Sequence, residues 1–245
     1  MSNPILNSAF EQRPYEIQSA PMTINGTLSK LGLMAVLMAV AGGATWYQYA
    51  LGYFDKVNAI TMIGLIVGFV LAMIICFSRK AMPVLVPIYA FAEGAALAGI
   101  SCQFEAMFPG IVVKAVSLTF MTLFAMVFLY ATRVIQATEK FRATIITATF
   151  AVMIFYLISF VLSLFHINIP MMTIGDGSLL SIGVSIAITL LAAFNLILDF
   201  DFIEQGTRNF FPKEYEWFGA FGLMVTLVWL YMEILRLLAK FNNRR

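Results

Sequence analysis

Four acidic residues lie within or at the ends of long apolar stretches of the sequence, and they are the first candidates for chemistry. They are Glu93, Asp199, Asp201 and Glu233. An ionisable side chain inside a bilayer costs about 2.5–3.5 kcal/mol on insertion scales, so each one needs a structural or functional reason. Carboxylates in such a place can hold a proton or bind a hard cation such as calcium, which prefers oxygen ligands.

The composition places these acids in a membrane protein. Of the 245 residues, 61% are hydrophobic and only 11% are charged, whereas an ordinary soluble domain carries about 25% charged residues. A soluble chain of this composition would expose large apolar patches, so lipid is the expected surrounding. The net charge of +2 indicates no nucleic-acid partner. The single histidine, His166, excludes a His-rich metal centre, and Cys76 and Cys102 are interpreted as buried free thiols.

Seven stretches are long and apolar enough to cross a bilayer, which takes about 20 residues as a helix. They are residues 28–50, 57–78, 83–104, 110–132, 143–165, 178–200 and 216–239. Barrel strands would alternate in polarity, whereas these runs are continuous, so the fold class predicted is all-α membrane, a polytopic bundle of seven transmembrane helices. The predicted organisation is a weakly ordered tail at 1–26, the transmembrane domain at 27–240 and a short C-terminal tail at 241–245.

The distribution of lysine and arginine predicts the orientation in the membrane. With seven spans, the loops that share a side with the N-terminus are the more basic ones. They carry Arg79, Lys80, Arg133, Lys140, Arg142, Arg208 and Lys213, against Lys56 and Lys114 in the opposite loops. By the positive-inside rule the N-terminus is cytoplasmic, in the plasma membrane. The C-terminal Lys240, Arg244 and Arg245 argue for the opposite orientation.

Helical geometry separates Asp199 from Asp201, because two residues along a helix correspond to about 200° around it. Asp199 continues a small and polar stripe at spacings of three and four, which is predicted to face the bundle or a cavity. That stripe consists of Ser185, Thr189, Ala192 and Asn195. Asp201 is expected to point elsewhere, towards the membrane interface.

Glu233 and Glu93 each allow two interpretations. Glu233 forms an intrahelical pair with Arg236, three residues on, or faces the bundle core as a functional carboxylate. Glu93 lies among small residues at the four-residue spacing that lets helices approach closely, seen in Gly94 with Ala98. It either bonds a neighbouring helix within a packing seam or takes part in transport.

The residues around these acids resemble the transmembrane Bax inhibitor motif family. The run from Leu198 to Ile203 (LDFDFI) and the later run from Tyr231 to Ile234 (YMEI) are similar to its last two helices, where two acids form a pair. The dipeptide Glu93-Gly94 resembles a Glu-Gly of its third helix. Met22-Thr23, with Gly26 and Lys30, is similar to a bacterial branch, and the resemblance covers nearly the whole chain.

The resemblance implies a seven-helix fold with the last helix central, and an acid pair that regulates a calcium leak in response to pH. By position, Asp199 and Glu233 are the pair and the possible calcium ligands, with Glu93 as a third residue of the ion pathway. The supporting polar residues are Asn195, Tyr231, Arg236 and Asp201. The second acid is Glu rather than Asp, and the gap between the acids is longer than in the family. They therefore meet only if helix six continues past Asp199.

A carboxylate pair in low dielectric suggests a mechanism. Two anions a few ångströms apart cannot both ionise cheaply, so they would share a proton and hold helices six and seven together. Loss of the proton adds repulsion and creates a site for calcium. No resident cofactor is expected, and the implied partners are the lipid bilayer and calcium or protons.

Two other functions use the same features. A non-transporting regulator would bind other membrane proteins, in protease control or stress and cell-death regulation. An intramembrane aspartyl protease also needs two membrane carboxylates, but its Tyr-Asp and Gly-x-Gly-Asp motifs are missing: Leu198 precedes Asp199, and Gly175-Asp176 lies in a loop. No zinc-binding His-Glu-x-x-His or serine nucleophile motif is present, so the chain is predicted not to be an enzyme.

Overall fold

The computed structural model describes residues 20–78, 81–166 and 176–244, which form seven α-helices and no strand. The helices are α1 (Ile24–Ala50), α2 (Phe54–Phe77), α3 (Met82–Met107), α4 (Ile111–Ala131), α5 (Glu139–Leu164), α6 (Leu179–Arg208) and α7 (Tyr215–Asn243). All seven are long and apolar enough to cross a membrane, which confirms the predicted architecture. Helix α6 continues past Asp199, as the predicted acid pairing requires.

Local sequence signals set several helix starts. The side chains of Thr23, Thr138 and Ser178 each accept a hydrogen bond from a backbone N–H of the first turn of the helix that follows. This is the N-cap arrangement that satisfies an otherwise unpaired donor. Before α4, Gly110 takes a φ of 80°, a conformation that favours glycine.

Helix α7 is central, as expected from the family resemblance. It packs against α1, α3, α4 and α6. Its buried residues Leu230 and Leu235 join Leu196 and Ile197 of α6 in one apolar core. Because lipid tails are as apolar as the side chains, the hydrophobic effect does not drive helices together inside a bilayer. This close packing therefore stabilises the bundle mainly through van der Waals contact.

Small residues bring α3 close to α1 and α2. A Cβ built on Gly94 would lie 2.5 Å from Met38 Cα of α1, and one built on Gly64 of α2 would lie 2.8 Å from the carbonyl oxygen of Ala92. The backbones therefore approach as closely as the small-residue spacing of α3 predicts.

Helix α5 differs from the other spans in how little of it is buried. Along its length, all of which the structure describes, only Ile145 is buried. The helix packs chiefly on α6. Most of its apolar side chains therefore face outward, where lipid would lie.

The residues just before α1 are packed against the start of α7. Met22 is 1% exposed, and its backbone N–H donates to the carbonyl oxygen of Phe211 at 2.7 Å. The predicted tail, 1–26, thus includes a packed segment and the first residues of α1, while residues 1–19 lie outside the described part. At the other end α7 extends to Asn243, three residues beyond the predicted boundary.

Candidate ion pathway and its acidic residues

Asp199 of α6 lies where this helix packs against α7. Its Oδ2 is buried and has no hydrogen-bond partner among the described residues. A Cβ built on Gly222 of α7 would lie 3.5 Å from Asp199 Oδ1, and the Thr226 hydroxyl also contacts this carboxyl group. A buried polar atom without a partner is unusual enough to need an explanation.

Glu233 is 2% exposed, and one of its oxygens has two partners. Its Oε1 accepts a hydrogen bond from the Tyr156 hydroxyl of α5 at 2.6 Å and from the Arg236 guanidinium at 3.1 Å. The intrahelical pair, one of the two sequence interpretations, is therefore present. Tyr156 was missed because its reach to α7 depends on helix packing, which spacing within one segment does not reveal.

The structure does not bring Asp199 and Glu233 together. Asp199 is level with Gly222, and Glu233 follows Gly222 by 11 residues, about 16 Å along the helix at 1.5 Å per residue. Glu233 is held at its own level by Tyr156 and Arg236. A calcium site formed jointly by Asp199 and Glu233, as predicted from the sequence, is thus not assembled. The described residues also contain no group of three or more His, Cys, Asp or Glu side chains that could hold a metal ion.

Glu93 lies in the seam between α2 and α3. Its Oε2 would be 2.8 Å from a Cβ built on Gly68, so the absence of a side chain at Gly68 makes room for the carboxylate. This position fits the packing-seam interpretation. Asp199, by contrast, lies between α6 and α7.

The supporting polar residues join different helices. Asp201 forms an ion pair with Arg142 of α5 at 2.5 Å, which agrees with the expectation that it points away from Asp199. Asn195 donates to the Thr149 hydroxyl of α5 at 2.8 Å. The Tyr231 hydroxyl lies 2.6 Å from Ser101 Oγ and links α7 to α3.

A second acidic centre fastens the N-terminal segment, and the sequence analysis did not single it out. Glu216, 1% exposed, forms an ion pair with Lys30 and accepts hydrogen bonds from both the N–H and the hydroxyl of Thr23 at 3.0 Å. A Cβ on Gly26 would overlap the Glu216 carboxylate. The clustered Thr23, Gly26 and Lys30 were the available signal.

Two further charged groups were also missed. Glu204 accepts hydrogen bonds from Tyr130, Arg133 and Arg208, and its hydrogen bond raises the pKa of the Arg133 guanidinium above its usual value. Lys240, 3% exposed, donates to Ser185 Oγ at 2.8 Å at the opposite end of the bundle. Both lie near helix ends, where charges need less desolvation.

An apolar groove of about 720 Å³ opens on one side of the bundle. It lies between α1, α3, α4 and α7, and its wall includes Gly32, Ala39 and Gly42 of α1. The Ser101–Tyr231 pair supplies a polar spot on this otherwise apolar wall.

Comparison with known proteins agrees with this architecture. A family model described as Bax inhibitor 1 like matches residues 3–243, nearly the whole chain. Neither the comparison with curated proteins nor that with solved structures gave a match. The protein is a multi-pass membrane protein, and it belongs to the Bax inhibitor 1-like family.

Proposed function

We propose that the protein is a regulated cation leak, conducting calcium, and that Asp199 is its gating acid. The observation that carries the proposal is the buried Oδ2 of Asp199, which has no hydrogen-bond partner among the described residues. An ionisable group inside a membrane bundle is expensive and marks an ion or proton pathway by default.

Protonation of Asp199 is the proposed switch. The protonated carboxyl is neutral and can remain between α6 and α7. The ionised form needs a cation or water beside its unpaired oxygen, because an isolated buried charge is strongly disfavoured. Raising the pH therefore favours the hydrated, conducting arrangement.

A single gating acid suits a leak better than a storage site. Calcium takes six to eight oxygen ligands when bound stably, whereas conduction requires a site that ions can leave. Asp199 and the hydroxyl of Thr226 offer few oxygens, so calcium would bind briefly and keep much of its water. Because Glu233 is neutralised by Arg236, its proposed role changes from second gating acid to anchor for α5.

The proposed orientation has the N-terminus in the cytoplasm, with the plasma membrane as the location. Arg133 and Arg208 lie at the ends of α4 and α6 on the N-terminal side of the bundle. Both pair with Glu204 of α6. The basic loops on that side support this orientation.

Calcium flux into proteoliposomes tests the proposal. Wild type should show flux that increases as the pH rises, and Asp199→Asn, which has the same shape and cannot ionise, should abolish the pH response. Asp176→Asn, in the loop before α6, serves as the matched control and should behave as wild type. Unchanged flux and pH response in Asp199→Asn would contradict the proposed gate.

A second candidate is a regulator that binds another membrane protein, and the groove favours it. Its apolar wall of small residues would accept a helix from a partner. A photo-crosslinking amino acid at Ala39, inside the groove, should give one stoichiometric adduct in intact membranes. The same group at Val40, 59% exposed outside the groove lining, should not. Equal, diffuse labelling at both positions would contradict this alternative.

A further inference from the structure

Polar side chains recur along one face of α5 at seven-residue intervals. They are Arg142, Thr149 and Tyr156. Seven residues are close to two helical turns, with a drift of only about 20°, so the three lie on one face. From the first to the third the rise is about 21 Å, most of the roughly 30 Å of a hydrocarbon core.

Each of the three contacts a polar group on α6 or α7. Arg142 pairs with Asp201 at 2.5 Å, and Gln205 also donates to that carboxylate at 2.8 Å. Midway, Asn195 donates to Thr149 at 2.8 Å. Farthest along the helix, the Tyr156 hydroxyl donates to Glu233 at 2.6 Å. We call these three sets of contacts the polar ladder.

Polar contacts carry an unusually large share of what holds α5 in place. Ile145 is the one buried residue among the described residues of this helix, and α5 packs chiefly on α6. Apolar packing on the core is limited, with Phe141 against Phe194 of α6 as its clearest ring contact. Water can replace each contact of the ladder, whereas it cannot replace apolar packing. A helix fastened in this way can move away from its neighbours while exposing less buried apolar surface than any other span would.

We propose that α5 is a movable wall and that the face it shares with α6 and α7 becomes a water-filled cation path when it moves. The choice of ion rests on the proposed leak function. The path passes one helical turn from Asp199, which follows Asn195 by four residues on α6. Opening the ladder would therefore bring water to the gating acid.

The charges along the ladder select cations. When α5 moves away, it takes Arg142 with it and leaves Asp201 on α6 with Gln205. Glu233 keeps Arg236, which lies on its own helix. The open path thus gains an unpaired carboxylate at the N-terminal side, beside the level of Asp199, and its surface becomes negative.

Cysteine accessibility tests the water-filled path without relying on flux. In full-length protein with Cys76→Ala and Cys102→Ala, reconstituted in liposomes, Thr149→Cys should react with a membrane-impermeant cationic methanethiosulfonate. The matched control is Phe150→Cys, one residue on and 57% exposed on the lipid-facing surface. We expect Thr149→Cys to react at least tenfold faster. Equal, negligible rates at both positions would overturn the proposal.

Tethering tests whether α5 must move. A short bis-methanethiosulfonate should bridge Thr149→Cys and Asn195→Cys, lower calcium flux at least fivefold, and be reversed by reductant. The control bridge joins Gly42→Cys and Ala98→Cys, where a built Cβ lies 3.6 Å from the Ala98 Cβ, a separation that suits a disulfide. That bridge should leave flux unchanged.

The two experiments separate the two proposals. If Thr149→Cys is labelled but the wild type shows no calcium flux, the movable wall is supported and the leak function is contradicted. If calcium flux is unchanged by the α5 tether and Thr149→Cys is not labelled, the path along α5 is contradicted and the leak function is supported. If neither labelling nor calcium flux is observed, both proposals are overturned.

Discussion

The Tyr156 hydroxyl of α5 donates a 2.6 Å hydrogen bond to Glu233, a 2%-exposed carboxylate of α7. This bond links the least buried of the seven described spans to the helix at the centre of the bundle. The carboxylate that it meets is already paired with Arg236, so the bond fastens α5 to a group that stays in place.

Removal of that hydroxyl should loosen α5. We expect Tyr156→Phe to destabilise the protein by about 1 kcal/mol, within the range for interhelical hydrogen bonds in membranes. The melting temperature in detergent, followed by tryptophan fluorescence, should fall by a few degrees. Tyr53→Phe, in the exposed α1–α2 loop, is the control. Equal melting temperatures for wild type and Tyr156→Phe would show that the bond adds nothing.

The two late acids should respond oppositely to neutralisation. Glu233→Gln breaks an ion pair and leaves Arg236 uncompensated beside a buried site, so thermal stability should fall. Asp199→Asn removes a charge whose Oδ2 has no partner among the described residues, so the melting temperature should stay the same or rise. A loss of stability in Asp199→Asn equal to that in Glu233→Gln would mean that Asp199 is held by contacts as strong as those of Glu233.

The close contact of Gly26 with Glu216 predicts that adding one methyl group at Gly26 destabilises the protein. In Gly26→Ala the new Cβ would overlap the carboxylate that Thr23 and Lys30 bind. We expect a loss of about 1–3 kcal/mol in the free energy of unfolding, as for other overpacked sites.

Gly32→Ala, on the same helix, is the control for that substitution. Apart from the adjoining backbone of α1, no atom of the described residues lies within 4 Å of its built Cβ, and alanine favours the helix by about 1 kcal/mol over glycine. The control should therefore be neutral or stabilising in the same chemical unfolding experiment. If both variants lose the same stability, helix propensity or lipid contact, and not the Glu216 site, governs α1.

The backbone contact between α1 and α3 gives a second glycine prediction. Gly94→Ala would place a Cβ 2.5 Å from Met38 Cα, and a backbone atom cannot turn aside as a side chain can. The two helices must separate, so we expect a lower melting temperature and faster proteolysis of the bundle. Gly43→Ala should leave both unchanged, because beyond the adjoining backbone of α1 the described part of the chain has no atom within 4 Å of its built Cβ. Wild-type behaviour of Gly94→Ala would show that the two helices can separate at little cost.

Hydropathy predicted the seven spans because the bilayer dictates both their length and their polarity. It failed at the end of α6, which was placed at residue 200 and ends at Arg208. By polarity alone Asp201 lies at the end of the span, and the loop is predicted to begin at Glu204. In the fold Asp201 pairs with Arg142 of α5, and Glu204 pairs with Arg133 in the turn after α4, so these polar turns of α6 stay helical.

The candidate site was predicted only in part for a related reason. The residue types identified Asp199 and Glu233 as unusual, and the spacing identified Arg236 as a partner. The level of each acid along its helix depends on where α6 and α7 cross. That crossing is set by packing at Gly222 and Leu196 rather than by any periodicity. The hydrogen bond from Tyr156 to Glu233 also depends on how the helices pack, so the sequence did not predict it.

The central position of α7 also governs how the bundle can be made. This helix follows the other six described helices along the chain, yet α1, α3, α4 and α6 all pack on it. In the folded bundle the counter-ion of Lys30 is Glu216, which lies 186 residues later in the chain. When α1 enters the membrane, this ion pair therefore cannot yet form. Before α7 is in place, α1, α2 and α3 can pack on one another, but the contacts that α1, α3, α4 and α6 make with the central helix are missing. Closure of the bundle therefore has to wait for α7.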